Sequence, residues 1–212
     1  MNRDNYLNSN EVLDEGSPAG DERYEQDTVL LRYMAQRIYI TLYLLDKPAD
    51  PSQPLLYYLE EGDKYTHRIA IYSPQELLLN NQLEFVGFIS RKLQPGDSQV
   101  IEEIRTVDKK LIVELINTPG LMSYSSLELH DGRWCNPVLF SGPETKLHLK
   151  QSETHKYAAY QLSPRYYEWV RLHNGIMPGG LARNELVLQK TKFYQFHGSH
   201  EKPKMRELTY EA

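Results

Sequence analysis

The 212-residue chain holds a single cysteine, Cys135. One thiol excludes an intrachain disulfide framework and fits a reducing compartment, so the cytoplasm is the expected location. No apolar run approaches the roughly 18 residues that span a bilayer, and no membrane partner is expected. Met1–Gln26 lacks the apolar stretch of a secretory signal. Positive charge is not in excess: 24 Lys and Arg stand against 29 Asp and Glu, for a net charge of −5. Nucleic-acid binding, which runs on phosphate neutralisation, is therefore not expected. Walker, dinucleotide-fold and G-x-S-x-G signatures are missing. There is no His pair four residues apart and no Cys/His cluster, so no metal site is expected. His197 and His200 lie close together, but in a polar terminal stretch.

What charge there is sits unevenly. Residues 1–26 carry seven acidic and two basic residues, and the rest of the chain is formally neutral. Such a segment buries too little apolar area to offset its ordering entropy and reads as a disordered acidic tail. The polar end, 198–212, reads as a second tail.

Between the tails, Arg37–Leu45 is rich in Ile and Tyr and reads as a strand. Lys47–Pro54 holds three prolines and reads as a loop. Leu55–Leu59 and Tyr65–Tyr72 read as strands, followed by a short helix opened by Ser73-Pro74. Leu83–Lys92 is a further strand. Val100, Ile101, Ile104, Val107, Leu111, Ile112 and Leu115 keep helical spacing behind a cap at Asp97 or Ser98, which predicts a helix of about five turns. Asp131-Gly132 between two strand-like runs predicts a hairpin with a two-residue turn. That turn pairs Glu128 with Cys135 and puts Leu127 beside Asn136. Helices follow over 144–162 and over Arg165–His173, and Glu185–Phe196 is the last strand.

From residue 83 onward the order is β-α-β-β-α-β, the ferredoxin-like order, which predicts an α+β fold with an antiparallel sheet and helices on one face. Leu59–Leu77 and Leu127–Leu147 resemble each other as hairpin, serine, proline and short helix. This suggests two tandem units: a degenerate first half over 27–82 and a fuller unit over 83–197.

The run "QPGD", long helix, "TPGLMSYSSLEL", turn, "VLFS" and "HLKQSETHKYAA" resembles the antibiotic-biosynthesis-monooxygenase type of dimeric α+β barrel over roughly residues 83–160. The resemblance implies ferredoxin-like units pairing into a barrel, a homodimer, and a pocket between sheet and helices. It also implies cofactor-independent oxygenation of an aromatic or polyketide-like small molecule. Haem-degrading relatives place a Trp and a His where this chain has Phe140 and Ala159. Haem degradation is therefore not expected, while haem binding stays open; otherwise no cofactor is expected.

An oxygenase of this kind needs a base and hydrogen-bond donors for an anionic substrate. His148, His155 and Asn136 are the catalytic candidates. Trp134, Ser125, Phe140 and Tyr157 are candidate ligand contacts. The stretch Ser163–Gly175 adds Arg165, Trp169, Arg171 and His173. Sixteen tyrosines supply many aromatic surfaces with polar tips. A second class stays open: a non-catalytic interaction protein that uses the aromatic 163–175 segment.

Overall fold

The apolar residues of the first described segment recur every three or four positions. Leu31, Met34, Ala35, Ile38 and Leu42 are all buried, and this period makes Asp21–Tyr43 a helix, α1. The strand expected over Arg37–Leu45 is therefore helix as far as Tyr43, and Leu45 lies outside the described residues. The segment's Ile and Tyr content suits a strand, but one stripe of it faces the core at helical spacing. The computed structural model describes residues 21–44, 53–62, 65–196 and 203–210. The tail up to residue 20, most of the proline loop, and His197 and His200 lie outside them. Helix α1 takes in the last six residues of the segment expected to be a tail.

Eight strands form one sheet: β1 (Leu55–Glu61), β2 (Tyr65–Ile71), β3 (Gln82–Lys92), β4 (Leu121–Glu128), β5 (Arg133–Phe140), β6 (Tyr167–Pro178), β7 (Val187–Gln195) and β8 (Lys204–Thr209). Their spatial order is β1-β2-β4-β5-β3-β6-β7-β8, and every pairing is antiparallel. The helices are α2 (Pro74–Leu79), α3 (Ser98–Glu114), α4 (Thr145–Gln151), α5 (Glu153–Tyr157), and the short α6 (Ser163–Tyr166) and α7 (Gly180–Arg183). The fold is α+β.

Helices cover both faces of the sheet, not one. On the first face α1 and α2 pack over Ile69, Phe85, Ile89, Leu139 and Phe193. On the second, Leu111 of α3 and Leu149 of α4 pack over Tyr72, Val86, Tyr124, Val138 and Phe140. Both faces of the central strands carry apolar side chains, so each needs a cover.

Helix α3 forms as its spacing predicts, and the Asp97 carboxylate accepts from the Gln99 and Val100 amides. The Asp131-Gly132 hairpin also forms, but in another register. Leu127 pairs with Cys135 and Glu128 with Trp134. The loop has three residues: the Leu129 amide bonds to the Arg133 carbonyl at 2.8 Å, and Gly132 takes φ 75°. A turn followed by a left-handed glycine is the other common hairpin closure. The slip of one residue changes which side chains share a face. Tyr124, Ser126, Trp134 and Asn136 now point one way, and Ser125, Leu127 and Cys135 the other.

The helix expected over Arg165–His173 stops at Tyr166, and strand β6 follows. In β6 Trp169, Arg171, His173, Gly175 and Met177 are buried at alternate positions, the period of a strand. Two of those inward positions are charged or titratable, which hides the alternation. The C-terminal segment expected to be a tail supplies strand β8.

Candidate functional site

Arg68 and His67 are neighbours on β2, so the pleat sends them to opposite faces. On the second face Arg68 grips Asp108 of α3 through both Nη atoms, with Nη2 to Oδ1 at 3.0 Å. The Tyr124 hydroxyl donates to the same carboxylate at 3.2 Å, and Asn136 Nδ2 donates to that hydroxyl at 3.2 Å. The Arg68 guanidinium lies 5.5 Å from the centre of the Tyr124 ring. Burial works against the Arg68 charge, but the Asp108 contact outweighs it and holds the pKa above its ordinary value. Loss of solvent pushes the Tyr124 hydroxyl far up. Both groups keep their protons, so the chain is a fixed set of donors and one carboxylate.

Beside this chain the sheet is left open. A groove of about 540 Å³ runs over the end of the β1–β2 and β4–β5 hairpins. Tyr58, Tyr65, His130 and Trp134 supply aromatic walls, and Arg68, Ser126 and Glu128 supply polar groups. The Tyr65 and His130 rings meet edge to face at 4.0 Å. Lys92 bonds to Glu128 and lies 5.1 Å from the Trp134 ring centre. The groove thus sets aromatic planes beside a few convergent polar atoms.

The first face holds two buried polar sets. Asp27 of α1 accepts from Arg171 Nη2 at 2.6 Å and meets His173 Nε2 at 2.9 Å. His173 Nδ1 contacts Thr191 Oγ1 at 2.8 Å, which in turn contacts the Tyr210 hydroxyl at 3.0 Å. Arg171 also lies 4.8 Å from the Trp169 ring centre. In the second set His67 meets Glu61 at 3.0 Å and Ser125 Oγ at 2.6 Å. Hydroxyl, imidazole and carboxylate stand in the order of a nucleophilic triad. Ser125 and His67 are both wholly buried, so no substrate carbonyl reaches Oγ, and the set acts as an anchor. Burial pulls the His67 pKa down against the upward pull of Glu61. Burial would raise Glu61, but hydrogen bonds from Tyr33, Arg37 and His67 bring it below its usual range.

The site residues expected from sequence fall in separate places. Trp134 and Asn136 share the second face, Trp134 lining the groove and Asn136 bonded to Tyr124. Ser125 sits on the first face, and Trp169, Arg171 and His173 lie there beneath or beside α1. Phe140 is in the core under α3 and α4. Tyr157 and Arg165 both contact Glu103 of α3. His148 is exposed on α4, and His155 is half-buried on α5, its amide capped by Ser152 at 3.1 Å. Burial pulls the His155 pKa down, and Lys150 adds to the effect. Sequence reasoning missed Arg68, Asp108, Tyr124 and His130. The one local signal was a histidine next to an arginine inside an otherwise alternating strand.

No family model and no curated protein matches the chain. Among solved structures, the crystal structure of protein SO0527 from Shewanella oneidensis is similar. It has 12% sequence identity and a TM-score of 0.37, and it covers 46% of this chain and 95% of that one. Among the described residues, no helix is long and apolar enough to cross a membrane.

Proposed function

We propose that the protein binds a planar aromatic, polyketide-like small molecule in the groove beside Arg68. The observation that carries this reading is the grouping of Tyr58, Tyr65, His130 and Trp134 around Arg68, Ser126 and Glu128. The aromatic rings offer stacking area. The carboxylate of Glu128 accepts a phenolic hydroxyl, and the cations Arg68 and Lys92 favour a ligand that carries negative charge.

The order β3-α3-β4-β5-α4-β6, with β4-β5-β3-β6 in space, supports reading the central strands as a ferredoxin-like unit of the dimeric α+β barrel type. The hairpin–helix pair β1-β2-α2 supports a tandem origin. Cofactor-independent oxygenation is the activity this resemblance implies. It asks for a base on the bound substrate, and His130 is the histidine that lines the groove.

Naphthol, a bicyclic phenol, is the probe. Calorimetric titration is expected to show saturable binding to the wild-type chain. Trp134→Ala and Arg68→Gln are each expected to weaken it about tenfold or more, equal to 1.4 kcal/mol. Binding that survives Trp134→Ala unchanged, or no saturable binding at all, overturns the reading.

A further inference from the structure

The two edges of the sheet are unlike. At one end β8 reads Lys-Met-Arg-Glu-Leu-Thr, and its Glu207 is paired with Lys190 and Lys192 of β7. Charges of this kind keep an edge from pairing with another chain. At the other end β1 reads Leu-Leu-Tyr-Tyr-Leu-Glu-Glu. Its inner side pairs with β2 over seven residues without a bulge. Among the described residues, no strand pairs with its outer side.

The side chains of β1 divide cleanly. Leu55, Tyr57 and Leu59 pack against the core under α1. On the other face Leu56 is 44% exposed and Tyr58 64% exposed. The strand thus offers, among the described residues, a free ladder edge together with an exposed apolar pair. Over Leu55–Leu59 it has neither the charge, proline nor bulge that usually protects such an edge; Pro54 stands just before it. The carboxylates come only at its last two positions.

We infer that β1 is a self-association edge: a second copy of this chain pairs with it antiparallel, about a twofold axis through Tyr57. In that register Leu56 of each copy lies across from Tyr58 of the other, and Leu55 across from Leu59. The exposed apolar residues cover one another as cross-strand pairs. Glu60 and Glu61 fall across from Pro54 and Gln53, past the end of the ladder, and no carboxylate faces another. Parallel pairing would stack Glu60 on Glu60 and Glu61 on Glu61, which like-charge repulsion opposes. Glu61 is also neutralised within its own chain by Arg37 at 2.7 Å. The twofold keeps α1 of both copies on the same face of a continuous sixteen-stranded sheet. Tyr58 also lines the groove, but the mass that reads the association does not depend on what fills it.

Sedimentation of the full chain at micromolar concentration reads the mass directly. The wild type is expected to be a dimer. The double variant Leu56→Lys with Tyr58→Lys changes only exposed side chains and is expected to stay folded, with a cooperative unfolding transition, while its mass halves; its midpoint falls only by what dimerisation contributed. Tyr57→Cys is expected to cross-link to itself under mild oxidation, since Cys135 is buried and out of reach. A monomeric wild type overturns the inference, including the case in which the edge takes a strand from another protein. A dimer that survives the lysine pair, or that fails to cross-link at position 57, overturns it as well.

Discussion

Asp27 and His173 stand 146 residues apart in the chain and 2.9 Å apart in space. The other oxygen of Asp27 holds Arg171 at 2.6 Å. All three residues are buried. The contact ties α1 to β6, and Asp27 offsets part of the burial that pulls the Arg171 pKa below its ordinary value. A buried pair of this kind is costly to break from one side, because the remaining charge loses its partner.

Asp27→Asn keeps the shape of the side chain and removes its charge. It is expected to destabilise the protein by about 3–5 kcal/mol, read from urea unfolding midpoints. Replacing Asp27, Arg171 and His173 together by leucine is expected to recover much of that loss, since no charge is then left unpaired. A single variant within about 0.5 kcal/mol of wild type would show that the pair does not hold α1 down.

Gly87 gives α1 room to lie on the sheet. A Cβ at that position would stand 2.5 Å from Leu31 Cδ1 and 2.8 Å from Cδ2. Gly87→Ala is expected to cost about 1–3 kcal/mol through overpacking. Trimming the opposing side chain relieves the clash, so Gly87→Ala with Leu31→Ala is expected to cost less than the sum of the two single variants. Strict additivity in thermal unfolding would show that the two positions do not press on each other.

His67 couples stability to pH. Its pKa is pulled below the ordinary value chiefly by burial. The unfolded chain therefore takes up a proton before the folded one does. Stability is fully present above the unfolded pKa of about 6.5 and falls as pH drops from there toward the lower folded value. His155 shifts in the same direction and adds to the slope. Unfolding free energies measured at neutral and mildly acidic pH are expected to differ less in His67→Gln than in the wild type. Equal differences in the two proteins would remove His67 from the account.

Asp108 holds α3 to the sheet through Arg68 and Tyr124. Asp108→Asn keeps one acceptor oxygen and removes the charge-assisted pair. The expected loss is about 1–3 kcal/mol, because the Arg68 side chain is mostly buried and cannot recover full hydration. Amide exchange in α3 is expected to speed up more than in α1. Uniform acceleration across both helices would instead mean that the contact serves the whole fold.

The elements that could be read from sequence are those whose signals are local. The spacing of Val100, Ile104, Leu111 and Ile112 and the Asp97 cap lie within one helix, and α3 follows from them. The Asp131-Gly132 pair marks the hairpin, yet the one-residue difference between a two- and a three-residue loop changed which side chains share a face. Trp134 and Asn136 were correctly grouped on one face, but with the wrong neighbours. Arg68, which lines the groove, and its partner Asp108 are forty residues apart, and nothing near either one announces the other.

By itself the sequence determined the α+β class, the long amphipathic helix, the position of the β4–β5 hairpin, and the concentration of acidity in the first 26 residues. These follow from propensity, period and charge count, which act over a few residues. Tertiary structure decided that 21–43 is a helix and 167–178 a strand, because the burial that selects each period comes from the rest of the molecule. It also decided which polar groups meet. Arg171 and His173 can face inward in β6 only because α1 brings Asp27 within hydrogen-bond reach of both.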